Sequence, residues 1–262
     1  MSLPRHLSDQ KGISLPEVMV VSIITTVVLG AAIATFVHQE KIFHDQGDLS
    51  KIKASGRSAL QLLVADLRKA GYGFPAGQGI ASADDRSIAI RANFDNVFSW
   101  ITSNVIGGSS FTVKAGDAAK FAVNDKIVLY NINDGSWETA TIQAVDTTTD
   151  TITATAAFAN TYLNLSPTIV NKYHDIVFSL DNANNRVVKS IDGGDSTPLT
   201  GDVAANGLGF DYRDNANTAL ATPVGNLSAI RQINVTLNMR HVKNSNAAIT
   251  LETEVHVRNM GS

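Results

Sequence analysis

Residues 13–37 read ISLPEVMVVSIITTVVLGAAIATFV, with a single charge, Glu17, in 25 positions. As a helix rising about 1.5 Å per residue, such a run spans the ~30 Å hydrocarbon core of a bilayer. From Val18 to Val37 the only polar side chains are Ser22, Thr25, Thr26 and Thr35, so the segment has no polar face. A soluble core helix of that length is rare, and a secretory signal would break after its small residues. Here Gly30-Ala31-Ala32-Ile33-Ala34 is followed by more helical rhythm instead. Leu49, Ile52, Leu60, Leu63, Val64, Leu67 and Ala70 recur at steps of three and four, making one apolar stripe. Gly71-Tyr72-Gly73-Phe74-Pro75 closes the pattern, with glycine as left-handed cap and proline as stop. The expectation is one long helix, membrane-spanning over 13–37 and amphipathic over 38–75, with Gly47 and Gly56 as weak points.

Beyond residue 75 the periodicity changes to two. Ser87–Phe94, Ser110–Ala115, Lys126–Asn131, Thr139–Val145 and Thr151–Ala156 alternate apolar with polar or small residues. Asp175–Leu180, Arg186–Ile191, Leu208–Tyr212, Arg231–Met239 and Ile249–Val257 do the same. Turn clusters such as Asn133-Asp134-Gly135, Asp146–Asp150, Asp181–Asn185 and Asp214–Asn217 separate them. The predicted class is α+β, a long N-terminal helix on an antiparallel β-sheet. Connecting strands and loop occupy 76–104. The closely spaced strands of 105–160 predict a small β-barrel-like insert, and 161–262 supplies the C-terminal sheet, whose strands from about 173 onward pack on the helix.

Composition agrees with a membrane anchor joined to a polar body. Mean hydropathy is +0.03 with only 17% charged residues, and the apolar excess sits in 13–37. The body draws its polarity from Asn and Thr about as much as from charge. A net charge of −3 argues against a phosphate-tracking nucleic-acid binder, so no nucleic-acid partner is expected. The chain has no cysteine, which excludes disulfides, thiolate-held metals and thiol nucleophiles.

At the start of the apolar run stands Lys11-Gly12-Ile13-Ser14-Leu15-Pro16-Glu17. A short leader, 1–12, ends in a basic residue and glycine, and glutamate is the fifth residue after that glycine. This resembles the type IV pilin-like proteins. Leu67-Arg68-Lys69-Ala70-Gly71-Tyr72-Gly73, Leu208–Tyr212, Ile230–Leu237 and Glu254–Asn259 are similar to the W-type minor pilins and the J-type pseudopilins of type II secretion. The resemblance implies a pilin fold, cleavage between Gly12 and Ile13 by prepilin peptidase, and N-methylation of Ile13, where the family usually has phenylalanine. It implies that the Glu17 carboxylate pairs with a neighbouring subunit's N-terminal amine during assembly. The implied partners are other pilin subunits, the peptidase and the inner membrane, with the body periplasmic before it reaches a surface pilus. Independently of the resemblance, Ser14-x-x-Glu17 is a capping box with Pro16 in the first helical turn. The alternative machine is type II secretion. From another class, a signal-anchored binding or adhesin module that never polymerises also fits.

No catalytic constellation stands out, and the reading is non-enzymatic with no cofactor, metal or small-molecule substrate. G-x-S-x-G, H-E-x-x-H and glycine-rich phosphate loops are lacking. Histidines stand at 6, 38, 44, 174, 241 and 256. His38 and His44 are six apart, the wrong interval for one helix face, while His241 and His256 lie on the last two strands, where they could be neighbours. Asp181–Asn185 fails the calcium-loop template at Ala183 and Arg186. Arg68, Lys69, Tyr72 and Phe74 at the helix end carry too little charge and too few rings to mark a DNA contact.

Overall fold

The structure, a computed structural model, describes residues 14–165, 167–240 and 248–257. The chain divides into two compact units between Lys51 and Ile52. Helix α1, Leu15–Leu67, runs without interruption across that division for 53 residues. In the first unit every described residue from 14 to 44 is exposed. Gly30 and Gly47 have nothing within 4 Å of where a Cβ would stand, and the helix does not break at either.

The second unit holds the rest of α1 and all of the strands. These are β1 (Ile80–Ala83), β2 (Ser87–Ala92), β3 (Phe98–Trp100), β4 (Ser110–Thr112), β5 (Lys126–Asn131), β6 (Trp137–Asp146) and β7 (Thr151–Ala154). They continue with β8 (Thr168–Asp181), β9 (Arg186–Ile191), β10 (Thr197–Thr200), β11 (Val203–Arg213), β12 (Ala219–Leu220), β13 (Gln232–Arg240) and β14 (Ala248–His256). All described pairings are antiparallel. The α+β class therefore holds, but the expected division of the strands does not. Ten strands form one sheet and only β12-β11-β13-β14 form the other.

The organiser of the larger sheet is β8. Its second half pairs with β2 on one side and β9 on the other; its first half pairs with β3 and β5. From β5 the sheet continues through β6 and β7 to β4. The predicted barrel-like insert is therefore a bent extension of the main sheet, and no barrel closes. Between β3 and β4 only an isolated bridge, Ile101 to Val113, and flanking bonds such as Thr102 N–H to the Thr112 carbonyl (2.8 Å) link the two edges. Strands of three residues are too short to zip a ring shut.

Two apolar clusters follow from the alternation. In one, Ile52, Leu60, Leu63 and Leu67 of α1 meet Ile88 and Ile90 of β2, Ile176 and Phe178 of β8, and the inward residues of β11, β13 and β14. The buried helix positions are the predicted stripe from Ile52 onward, with Gly56 and Ala59 added where the helix comes closest to the sheet. A Cβ on Gly56 would stand 2.7 Å from Leu251 Cδ1 and 3.1 Å from Met239 Cγ. The other cluster fills the inner face of the insert with Phe111, Phe121, Ile127, Leu129, Ile142, Ile152, Tyr162 and Val170. Buried Tyr212 donates its hydroxyl to the Asp84 carbonyl at 2.9 Å, and burial pushes its phenol upward.

The helix ends slightly before its predicted cap. After Leu67 the chain tightens, with Lys69 N–H bonding the Asp66 carbonyl and Ala70 N–H the Leu67 carbonyl. Gly71, at φ +80°, gives its N–H to the Arg91 carbonyl of β2, not back to the helix. Gly79 lies so close to Gly71 that a Cβ would fall 2.3 Å from the Gly71 nitrogen.

Candidate functional site

Residues Leu15–Val37 build the first candidate. The Ser14 carbonyl accepts the N–H groups of Glu17 (3.0 Å) and Val18 (3.2 Å), which places Ser14 at the N-cap and Pro16 in the first turn. There the missing N–H of proline costs nothing, and the acid of Glu17 complements the helix dipole. The four hydroxyls in the apolar run all turn back on the helix. Ser22 bonds the Val18 carbonyl, Thr25 the Val21 carbonyl and Thr26 the Ser22 carbonyl at 2.8 Å; Thr35 bonds the Ala31 carbonyl at 2.9 Å. A hydroxyl satisfied within its own helix presents no stranded donor to lipid or to a neighbouring helix. Glu17 has no such recourse, and among the described residues nothing pairs with its carboxylate. An ionised group placed in a membrane costs about 2.5–3.5 kcal/mol on insertion scales, which favours capture of a cation. This helix is long and apolar enough to cross a membrane, consistent with single-pass anchoring. Gly12 and Ile13, the expected cleavage and methylation positions, lie outside the described residues.

A second cluster sits on β8, and composition gave no sign of it. Eight charges alternate in one chain of ion pairs: Arg91, Asp175, Lys126, Asp192, His174, Asp95, Lys172 and Asp125. It occupies the place where the neighbours of β8 change. Asp95 lies between the end of β2 and the start of β3; Asp192 follows β9, and Asp125 precedes β5. At one of these places the Asp192 N–H donates to the Asp175 carbonyl at 2.8 Å, and the Asp175 N–H donates to Asp192 Oδ1 at 2.9 Å. His174 is the middle link, with Nδ1 2.6 Å from Asp192 and Nε2 3.0 Å from Asp95. Burial pulls its imidazole pKa down, but hydrogen bonds to the two carboxylates and their charges outweigh burial, so the value stands above the ordinary one. Asp95 is held low, mainly by its bond to His174 and then by Lys172. For Asp192 burial pushes upward, yet the Asp175 N–H, His174 and Lys126 together bring it below the usual range.

The chemistry of this cluster is that of a structural tie. Both imidazole nitrogens are committed to carboxylates, leaving no free lone pair for a metal or for proton abstraction. Among the described residues no group of three or more His, Cys, Asp or Glu is arranged to hold a metal ion. The sequence singled out other histidines. His256 faces Gln232, at the end of β13 remote from Arg240, and pairs with Glu254 at 2.7 Å. Its expected neighbour, position 241, lies outside the described residues. Asp181 behaves as a turn residue, accepting from Asn184 and Arg186.

Comparison with protein-family models, with curated proteins and with solved structures finds no match for this chain.

Proposed function

We propose that this chain is a minor pilin of the W type, a subunit anchored in the inner membrane that joins a type IV pilus and its initiation complex. Prepilin peptidase removes residues 1–12, Ile13 becomes the methylated N-terminus, and the apolar half of α1 is the polymerisation element. The body, from Ile52 onward, supplies lateral contacts. One observation carries this reading: an apolar helix half, exposed on all sides, whose hydroxyls are internally satisfied and whose single carboxylate, Glu17, has no partner among the described residues. Such a surface needs lipid first and other apolar helices later, and the lone acid selects a cationic partner at a fixed height.

Mass spectrometry of the mature N-terminus tests the reading. The expected product starts at a methylated Ile13; a chain still starting at Met1, or cut after the apolar run, removes the pilin reading. Glu17→Ala is expected to insert and be cleaved normally but to be depleted from sheared filaments. Wild-type incorporation of that variant defeats the role given to Glu17.

A further inference from the structure

The outer face of the β3-β8-β5-β6 sheet carries a row of side chains that neither the ion chain nor the assembly helix uses. Register places Trp100 opposite Ile169, Ile169 opposite Tyr130, and Tyr130 opposite Trp137. Directly opposed residues of antiparallel strands project from the same face, so these four form one line across four strands. It holds both tryptophans of a chain with only 6% aromatic residues. Trp100 is 39% exposed and its neighbour Phe98, on the same face, is 44% exposed; Tyr130, Ile169 and Trp137 are half-buried. Beside the row on the same face, Phe74 and Tyr173 meet edge to face at 4.9 Å and form, with Val128, a cluster against which Trp137 packs.

Three properties identify an occupant. No member of the row is charged, nor is any of the next row, Phe98, Asn171, Val128 and Thr139, so the row itself offers a ligand no charge. Among the described residues, the indole N–H groups of Trp100 and Trp137 and the Tyr130 hydroxyl make no hydrogen bond within the protein, and the Thr139 side chain beside them is exposed. Donors are thus present next to apolar rings. Third, the row repeats at the strand spacing, with Trp100 and Tyr130 about 10 Å apart. That is comparable to two rings of an extended sugar chain. A pyranose offers C–H groups of slight positive charge to the negative face of an aromatic ring, and hydroxyl acceptors at its rim.

We propose that this face binds a neutral, extended polysaccharide, with Trp100, Tyr130 and Trp137 as the stacking platform. The site does not depend on polymerisation into a pilus.

Full-length protein in a detergent without a sugar headgroup is titrated with cellohexaose and with chitohexaose, and its intrinsic tryptophan emission is read. A saturable change is expected with at least one of them, about tenfold weaker in Tyr130→Ala, which keeps both reporters, and unaltered in Ile106→Ala. If Tyr130→Ala lowers the unfolding midpoint, Trp100→Leu takes its place with Trp137 as reporter. No saturable change with either sugar at millimolar concentration overturns the proposal. So does equal affinity of the row variants, or equal affinity for free glucose. Loss of a protein contact in the row variants without any sugar binding assigns the face to a protein partner instead, and also overturns it.

Discussion

The two halves of α1 share backbone geometry and differ in what surrounds them. Over residues 18–37 the apolar side chains stand on every side, and the four hydroxyls are folded onto carbonyls of the preceding turn. From Ile52 onward one stripe is buried under two sheets and the opposite side is exposed. Helix propensity alone does not distinguish them. What differs is how polar groups are disposed, on one side in the half that meets a protein core and turned inward in the half suited to hydrocarbon. The same substitution in each half should therefore have different consequences.

The sharpest contrast is Leu63→Ala against Leu29→Ala. Leu63 is 1% exposed, and its truncation is expected to cost about 2–5 kcal/mol in denaturant unfolding of the body. Leu29→Ala should leave that unfolding curve in place and act on membrane insertion or filament yield. Equal destabilisation by both would erase the division at Lys51. Next is the pair of helix glycines. Gly56→Ala forces Leu251 and Met239 to move and is expected to cost about 1–3 kcal/mol. Gly30→Ala meets nothing and should leave the body's melting temperature unchanged.

The smallest effect concerns pH. His174 has a raised pKa in the folded chain, so its contribution to stability is complete below the ordinary histidine value of about 6.5 and is lost as pH rises through the higher folded value. Asp95 and Asp192 act in the opposite direction; their contribution is present above the ordinary aspartate value and fails as acid protonates them. Unfolding free energy should therefore decline modestly as pH rises above about 6.5, measured against His174→Gln, in which that decline disappears. Persistence of the slope in the variant would assign it to other groups. Leu63 should show no such interaction with pH.

The helix and its stripe were legible because both rest on local periodicity. So were ten of the strands, each of which alternates over several residues. The strands missed were β1, β3, β10 and β12, which are two to four residues long, and the first half of β8. In that half Asn171, Lys172 and His174 interrupt the apolar rhythm, because they serve the sheet's junction and not its core. The barrel was misread for the same reason that the ion chain was invisible: both depend on which distant strands meet. His174 finds its partners 18 and 79 residues away. The aromatic row follows from register alone; in sequence Trp100, Tyr130 and Trp137 are ordinary strand residues. The role proposed for Glu17 rests on local sequence alone, the glycine before it and the apolar run after it.

One strand, β8, belongs to both hydrophobic clusters: Val170 faces the insert's core, while Ile176 and Phe178 face the core under α1. In mechanical terms the insert is no bead on a tether. A load drawn on its outer face runs lengthwise along β8 and meets the ladders with β2 and β9 in shear, so that many hydrogen bonds resist together. Excising the insert as a cassette would in turn strip the first half of β8 of β5 and leave a bare edge ready to pair with another chain.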